Sequence, residues 1–381
     1  RLPRIDFGSG ATRYRYPTPL TPLIISKPSD FGVDIPDFER NIYDASGSFR
    51  LPLFKGGRLY RGVRVAEMRK ALAEDNYMTT KQDLVYNLSG VFFKIAELEQ
   101  LLRAHEASAQ ALEAHKRDVT TMLEAGSAAQ IDLLKTDVEL SHAIERRIVV
   151  KNNLESAYEL LKTLMGVDNM DKKIAINPQM TSLYPCPPIH ESLDRALTLR
   201  PEYKAVLKKK IILEERIKIA QGKRLPDIYA GGEYSGRAGD SLGFKENWYA
   251  GVRLSVPVFD GGLISAEVSK ERTELQKALE EERSLKLAIS KEVRDAYITI
   301  ANADERISVT EKAIGSARET MRVERLKYET GAGTTTDVID AQSALLRAET
   351  DYYQALFDRE LALASLKRAI GEDAYQPITG G

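Results

Sequence analysis

The chain has 381 residues, of which 29% are charged and 7% are aromatic, a composition that suits long exposed helices better than a large globular core. Its 55 basic and 56 acidic residues nearly cancel, so there is no electrostatic reason to expect a nucleic-acid partner. The single cysteine, Cys186, excludes a disulfide within the chain. The sequence contains no run of 18 apolar residues, which argues against a transmembrane helix.

An internal duplication accounts for most of the chain. Residues 51–57 recur as residues 256–262, an offset of 205 (261 − 56). Gly126 and Gly331, which end two matching segments, keep the same offset, so residues 43–166 pair with residues 248–371. Two copies of one structural unit are therefore predicted.

The beginning of the chain follows a second offset, because residues 1–5 resemble residues 224–228 at a distance of 223 (224 − 1). The first copy therefore has a loop that is 18 residues longer (223 − 205), and this loop lies within residues 14–42. A helical stretch precedes Pro226 but has no counterpart in the first copy, so we expect an N-terminal helix, and any signal sequence or lipid-bearing cysteine, to lie upstream. The long loop is rich in proline, with Pro17, Pro19, Pro22, Pro28 and Pro36.

In chain order, residues 4–13 and 43–51 are predicted to be strands, and residues 227–236 and 247–256 are their copies. The last strand alternates apolar and polar side chains, with Tyr249, Gly251, Arg253 and Ser255 on the polar side. This pattern fits either a half-buried hairpin or a membrane-barrel strand whose apolar side faces lipid. Nine or ten residues are enough for a tilted membrane strand. The apolar side consists of Trp248, Ala250, Val252, Leu254 and Val256.

Each strand pair leads into a very long helix. Residues 57–125 contain no proline, and at 1.5 Å per residue they form a rod of about 100 Å. Proline residues in 167–188 predict a linker, and Ile189 to Lys223 a shorter helix. In the second copy, apolar residues recur every seven positions from Val293 to Tyr328, which predicts a coiled coil. The returning helix carries a matching alanine column, Ala341, Ala348, Ala355 and Ala362.

Two glycine-containing turns join the long helices into hairpins. Gly331 and Gly333 end the outgoing helix of the second copy because glycine takes left-handed dihedrals without strain. Thr334 with Asp337, three residues later, predicts a capping box for the returning helix. In the first copy the turn is at Gly126, and Ser127 with Gln130 forms the corresponding cap pattern.

The residues around the second turn, Arg325–Gly331 followed by Thr336–Gln342, resemble the TolC family of outer-membrane efflux channels, and the similarity covers residues 1–371. The resemblance implies a mainly α protein with a membrane β-barrel portion. In a homotrimer, long antiparallel coiled-coil helices would form an α-barrel, and four strands per chain would contribute to a shared twelve-stranded barrel in outer-membrane lipid. No cofactor and no catalytic activity are implied.

The resemblance divides the chain into six segments. Strand pairs at 1–56 and 224–261 would form the β-barrel portion. Helical hairpins at 57–166 and 262–371 would form the α-barrel. The linker and helix at 167–223 would form an equatorial belt, and residues 372–381 would be a C-terminal tail.

A passive channel acts at its constriction, which in a helical tube lies where the hairpin turns meet. Asp337 and Asp340 are three residues apart and share a helix face, and the resemblance implies that they form acidic rings in the pore. The alternative is that both stabilise the helix N-terminus. Tyr328 and Asp132 match the family's tip gate, although Tyr328 also ends the packing column. Gly333 stands where the family prototype has an arginine, which leaves the resting state open.

The predicted function is a passive exit duct in the outer membrane that extends into the periplasm. A periplasmic adaptor (membrane fusion) protein and an inner-membrane pump would open it. The alternatives are the outer-membrane channel of a type I protein secretion system, and a coiled-coil scaffold without a membrane role. The cargo, whether drug, metal or protein, stays undecided. The four scattered histidines, His105, His115, His142 and His190, do not predict a metal site.

Overall fold

The computed structural model describes residues 3–21, 24–25, 33–34, 37–169, 174–177 and 186–372. Three of the five loop prolines (Pro22, Pro28 and Pro36), much of the predicted linker and residues 373–381 of the predicted tail lie outside these ranges. The described part is mainly helical with one four-stranded antiparallel sheet. The predicted fold class is therefore confirmed at the level of the single chain.

The structure has four long strands, two strands of two residues each, four long helices and two shorter helices in the described ranges. The strands are β1 (Arg4–Pro19), β2 (Ile24–Ile25), β3 (Val33–Asp34), β4 (Phe38–Lys55), β5 (Asp227–Ala238) and β6 (Lys245–Ser255). The helices are α1 (Arg58–Glu124), α2 (Gln130–Leu164), α3 (Ile189–Leu199), α4 (Pro201–Gly222), α5 (Leu263–Glu329) and α6 (Thr335–Ile370).

Contacts divide the chain into two compact units. The first unit, Arg1–Leu72 with Leu207–Glu280, holds the sheet in the order β1-β4-β5-β6. Every neighbouring pair of strands is antiparallel. The outer edges of β1 and β6 have no strand beside them within the described part of the chain. A two-residue pairing of β2 with β3, which the alternation did not predict, lies within the long loop.

The second unit, Ala73–Val206 with Glu281–Gly381, holds the helical hairpins. Here the seven-residue columns are packed as predicted: Val293 and Ile300 on α5 and Ala355 and Ala362 on α6 are buried. Alanine at these positions lets the two helix axes approach closely. Within the described ranges, we find no helix long and apolar enough to cross a membrane.

The predicted helix from Ile189 to Lys223 is wrong in one respect, because it breaks at Arg200. Arg200 is extended (φ −60°, ψ 124°) and Pro201 begins the next helix. A proline disfavours helical dihedrals in the residue before it, while at the first helical position it fits without loss. At this break, the Arg200 side chain is buried. Its guanidinium forms ion pairs with Glu292 at 2.6 Å and with Glu202 at 3.0 Å.

Candidate functional site

The tip of the second hairpin is the turn between α5 and α6. Gly331 has φ +75°, and the N–H groups of Ala332 and Gly333 both donate to the Lys327 carbonyl, at 2.8 and 3.1 Å. These bonds satisfy the last carbonyls of α5. Gly333 does not have a positive φ; instead, a Cβ there would lie 3.0 Å from the Lys327 Cβ. The two glycines therefore serve different purposes, one conformational and one steric.

The predicted capping box is confirmed at the start of α6. The Asp337 N–H donates to Thr334 Oγ1 at 3.2 Å, and an Asp337 carboxylate oxygen accepts from the Thr334 N–H at 3.0 Å and the Thr334 hydroxyl at 2.7 Å. These bonds, with the Lys327 charge nearby, hold the pKa of Asp337 below its ordinary value. Asp337 is therefore a fully ionised, exposed carboxylate fixed in position by the helix that it caps.

Asp340 lies three residues further along α6 and is exposed as well. The 205-residue offset places Lys135 at the equivalent position of the first hairpin (340 − 205). Lys135 Nζ donates to Thr336 Oγ1 at 3.3 Å, so this cation lies next to the turn that carries Asp337 and Asp340. Lys135 was not among the predicted tip residues, although its position follows from the 205-residue duplication.

The first hairpin tip repeats the same backbone pattern. Gly126 has φ +77°, and the N–H groups of Ser127 and Ala128 donate to the Met122 carbonyl at 2.8 and 3.2 Å. The predicted Ser127–Gln130 cap is wrong, because the Ser127 hydroxyl also turns back to the Met122 carbonyl. The helix begins two residues later than that pattern requires, with Ala129 as the N-cap residue, so the side chain that accepts from the N-cap N–H belongs to Asp132.

Asp132 is the repeat equivalent of Asp337 (337 − 205). Its carboxylate accepts from the Ala129 N–H at 3.4 Å, and Ala129 lacks the hydroxyl that Thr334 supplies in the second tip. The Asp132 carboxylate is therefore held by one long bond, whereas that of Asp337 is held by two shorter ones.

Tyr328 belongs to a buried cluster between the two tips. Its ring packs edge-on against His115 with centroids 4.7 Å apart, beside Val119 and Val338. Its hydroxyl is buried and has no hydrogen-bond partner among the residues that the structure describes, and the same is true of His115 Nε2 and Thr335 Oγ1. Burial lowers the pKa of His115, although Asp118 opposes the shift, so the imidazole is neutral at pH 7. No hydrogen bond joins Tyr328 to Asp132 within this chain.

Polar contacts near the tips link α1 to α2 and to α5. Lys116 of α1 meets Asp137 of α2 at 2.5 Å, and Arg325 of α5 lies 4.0 Å from Asp118 of α1. These pairs are partly exposed to solvent, so each adds little to stability. The tip region is therefore held mainly by the buried cluster around Tyr328.

The sheet, in the first unit, has one apolar and one charged face. Strand register places Trp248 opposite Tyr234, and Val252 opposite Ala230, so side chains of all four strands line up by face. Trp248 and Val252 lie on the apolar face, yet their exposed fractions are 71% and 70%. Val256 follows the end of β6 and is exposed too. The apolar face also includes Ile5, Phe7, Ala11, Tyr43, Ala45, Phe49, Leu51, Ile228, Ala250 and Leu254.

The opposite face of the same sheet is polar. Arg4 faces Arg50 across β1 and β4, while Glu233 faces Ser48 and Tyr249. A sheet in water that packs against nothing rarely exposes so many aromatic and branched side chains on one face. Among the residues that the structure describes, no cluster of three or more histidine, cysteine, aspartate or glutamate side chains is arranged to hold a metal ion.

Comparison with known proteins supplies an independent finding. A family model described as "Outer membrane efflux protein" matches residues 1–167 and 193–372. Outer membrane protein TolC of Escherichia coli (strain K12) is 21% identical over 327 residues, covering 82% of this chain and 66% of that protein, so the chain spans just under two thirds of that relative. The pyoverdine export outer membrane protein OpmQ of Pseudomonas putida is 23% identical and covers 97% of this chain and 78% of its own.

Among solved structures, the outer membrane protein VceC of Vibrio cholerae has a TM-score of 0.80 at 15% identity, covering 98% of this chain and 87% of its own. At this identity the likeness establishes a shared fold. The predicted resemblance is confirmed, and the predicted fold class is confirmed at the level of the single chain.

Proposed function

Because the chain belongs to the family of outer membrane efflux proteins, we propose that three copies form the passive exit duct of a tripartite efflux system. The observation that carries this proposal is the exposed apolar face of the four-stranded sheet, together with its two open edges. Unpaired strand edges are not tolerated in lipid, so four strands need partners from other chains. Three chains supply twelve strands, with the apolar face toward lipid and the charged face toward water.

The segments predicted from the duplication take roles in this duct. Strand pairs within 1–56 and 224–261 form the barrel in the outer membrane. The hairpins at 57–166 and 262–371 form the periplasmic tube, and residues 167–223 form a belt around it. Transport in such a duct is diffusion, and the protein needs no enzymatic activity of its own.

The constriction lies at the tips of the second hairpins. Asp337 and Asp340 are exposed on the first turn of α6, and three copies of each give two acidic rings that favour cations. The capping box holds the Asp337 carboxylate in place at the start of α6, and this stabilising role is compatible with a pore role. Adaptor hairpins bound at the tips, in a complex with an inner-membrane pump, would move these rings apart.

The tip gate involves Tyr328 and Asp132. An enclosed hydroxyl without a partner costs free energy, and a hydrogen bond to a neighbouring hairpin would remove that cost. Asp132 can offer such a bond, because a single long contact occupies its carboxylate. Tyr328→Phe is expected to raise the open probability of the channel without loss of folding, since the hydroxyl has no hydrogen-bond partner in the described part of the chain. Unchanged gating in this variant would remove Tyr328 from the gate.

Single-channel conductance in a planar bilayer tests the proposal. We expect small, cation-selective currents that trivalent cations block, and both properties should weaken in Asp337→Asn with Asp340→Asn. The matched control is Thr334→Ala, which removes the cap hydroxyl but keeps both carboxylates. Pores that ignore the carboxylates would keep the channel and place its constriction elsewhere. A detergent-free soluble protein without conductance would favour the coiled-coil scaffold.

A further inference from the structure

The two copies of the strand pair differ in how far their second strand extends. β4 continues to Lys55, five residues beyond Arg50, where its pairing with β1 ends. The extension exists because β5 pairs with β4 on its other side, as far as Lys55 opposite Asp227. Within the described ranges, β6 has no such second neighbour, and it stops at Ser255, the repeat equivalent of Arg50.

The residues that directly follow β6 correspond to paired residues of β4 but are not themselves paired with a strand. Residues 256–260 are the repeat equivalents of residues 51–55, which are paired apart from one bulge. Val258 and Phe259 are 95% and 91% exposed, more than Leu53 and Phe54 of the first copy. Apolar side chains this exposed point to a surface that another chain covers.

The duplication holds at the level of strand register, which allows the missing partner to be identified. β1 pairs with β4 through Arg4 opposite Arg50, and β5 pairs with β6 through Asp227 opposite Ser255. The two pairs correspond through the offsets of 223 and 205 (227 − 4 and 255 − 50). Within the chain, β5 pairs with the second edge of β4. By the same correspondence, β1 of another copy can pair with the free edge of β6.

We propose that β6 of one chain pairs with β1 of a second copy in the register that β4 has with β5, and that this pairing extends β6 to Asp260. The inference rests on the proposed oligomeric duct and adds to it a specific register. Opposite pairs follow from the two offsets applied to β4 and β5. They are Asp260 with Arg4, Phe259 with Ile5, Val256 with Phe7, Leu254 with Ser9 and Val252 with Ala11 of the second copy.

This register brings apolar side chains of β6 and its extension opposite apolar side chains of β1. It places Phe259 and Val256 against Ile5 and Phe7, which are themselves exposed on the apolar face. A register shifted by one residue would turn these side chains to the charged face, because side chains alternate along a strand. The pairing therefore makes the apolar face continuous from one chain to the next.

The last residue pair carries opposite charges both in the β4–β5 pairing and in the proposed β6–β1 pairing, but the acidic and basic residues exchange strands. Within the chain, the basic residues Lys55 and Arg58 meet Asp227, and Arg58 forms an ion pair with it. Between chains, the acidic Asp260 would meet the basic Arg4. Arg4 already contacts Asp6 at 2.8 Å, and a guanidinium has enough donors for a second carboxylate. If β1 of another copy paired with β4 instead, Lys55 would lie opposite Arg4, and the two like charges would repel. The opposite charges of Lys55 and Asp260 therefore favour pairing of that β1 with β6.

Paired cysteines test the register in the full-length chain with Cys186→Ser as background. Phe7→Cys with Val256→Cys should give disulfide-linked trimers on oxidation, resistant to boiling in SDS without reductant. The mismatched pair Phe7→Cys with Leu254→Cys should give at least tenfold less, because diagonal neighbours lie about 7–8 Å apart, beyond ordinary disulfide reach. Leu51→Cys with Ala230→Cys, the equivalent pair within the chain, is the positive control and should close without linking chains.

The outcomes separate this inference from the proposed function. Trimers that conduct but cross-link through the mismatched pair, or through neither pair, would overturn the register and leave the duct intact. Chains that form neither trimers nor pores would overturn the duct itself.

The ion pair supplies a second measurement that needs no cysteine. Arg4→Gln and Asp260→Asn should each lower the temperature at which trimers dissociate in SDS, while the double variant should lower it no further than the larger single effect. In the natural protein the two Asp260 carboxylate oxygens accept from the N–H groups of Gly262 and Ile264, and asparagine keeps one of these two acceptors. Fully additive effects would show that the two side chains do not meet.

Discussion

At the scale of single residues, the helix-capping role of the Asp337 carboxylate has a pH dependence that follows from its lowered pKa. Its pKa is lowered by the Thr334 hydroxyl and N–H, so its contribution to tip stability is present above the ordinary carboxyl pKa of about 4. That contribution is lost as pH falls through the lowered folded-state pKa. The stabilising role therefore persists under mildly acidic conditions.

This pH dependence gives a prediction. The stability difference between the natural protein and Asp337→Asn should be constant from pH 7 to about 5 and shrink below pH 4. Amide hydrogen exchange of the first turn of α6 at several pH values measures it. A difference that grows toward low pH would contradict the capping role, and Asp340→Asn, which removes a carboxylate outside the capping box, is the control.

Lys135 should weaken the cation selectivity that the proposed rings of Asp337 and Asp340 would create. Its Nζ lies 3.3 Å from Thr336 Oγ1, so it places a positive charge beside the first turn of α6. Lys135→Ala is expected to shift the reversal potential toward stronger cation selectivity and to lower the trivalent-cation concentration needed for block. Lys151→Ala, an exposed lysine elsewhere on α2, should change neither property. Equal effects of the two variants would exclude a local role for Lys135.

At the scale of elements, the ends of the helices were largely predictable because their signals are local. Gly331 and the Thr334–Asp337 box act within a few residues, and the structure has both. The start of α2 was misplaced because Ser127 and Gln130 imitate a cap pattern, and the competing Met122 carbonyl becomes visible only in three dimensions. The break at Arg200 was not predicted, although Pro201 is a local signal for it, because a proline disfavours helix in the residue before it and fits the first position of a new helix.

Two glycines that end helices are expected to differ in cost when changed to alanine. Gly331 and Gly371 both have positive φ, at +75° and +81°, which costs alanine about 1–2 kcal/mol. A Cβ at Gly331 would meet nothing within 4 Å, whereas one at Gly371 would lie 2.8 Å from the Arg200 backbone nitrogen. Gly371→Ala should therefore lower the free energy of unfolding clearly more than Gly331→Ala.

Chemical denaturation of the two variants in detergent, monitored by circular dichroism, compares these costs. The conformational penalty is common to both, so the difference between the variants isolates the contact with Arg200. Equal losses would show that the α3–α4 break yields to the added methyl group without cost.

At the scale of the whole molecule, the alternation of Trp248 to Val256 predicted a two-faced strand but not how far each strand would extend. The structure gives β1 16 residues and β4 18, against about ten predicted, because extension depends on neighbours that a single strand does not reveal. The constriction and the gate stay predictions for the same reason. Asp337, Asp340, Asp132 and Tyr328 are placed near the tips by one chain, but rings and links between hairpins require several.

The membrane role of the sheet face can be tested with one matched pair of substitutions on β6. Val252 lies on the apolar face and is 70% exposed, while Asn247 lies on the polar face of the same strand. A basic side chain facing lipid costs up to about 2–4 kcal/mol at the bilayer midplane and an acidic one less, and the cost would occur once in every chain of the barrel. Val252→Asp is therefore expected to abolish trimers in the outer-membrane fraction, whereas Asn247→Asp should assemble normally.

Heat-modifiable trimers on SDS gels of membrane fractions, followed by conductance of the purified protein, measure both variants. The comparison is controlled because each variant adds the same carboxylate to the same strand, five residues apart and on opposite faces (252 − 247). Loss of assembly in Val252→Asp alone can then come only from the face on which the charge lies. If both variants assemble equally well, or if both stay in solution without detergent, the apolar face does not contact lipid and the sheet belongs to a protein that works outside the membrane.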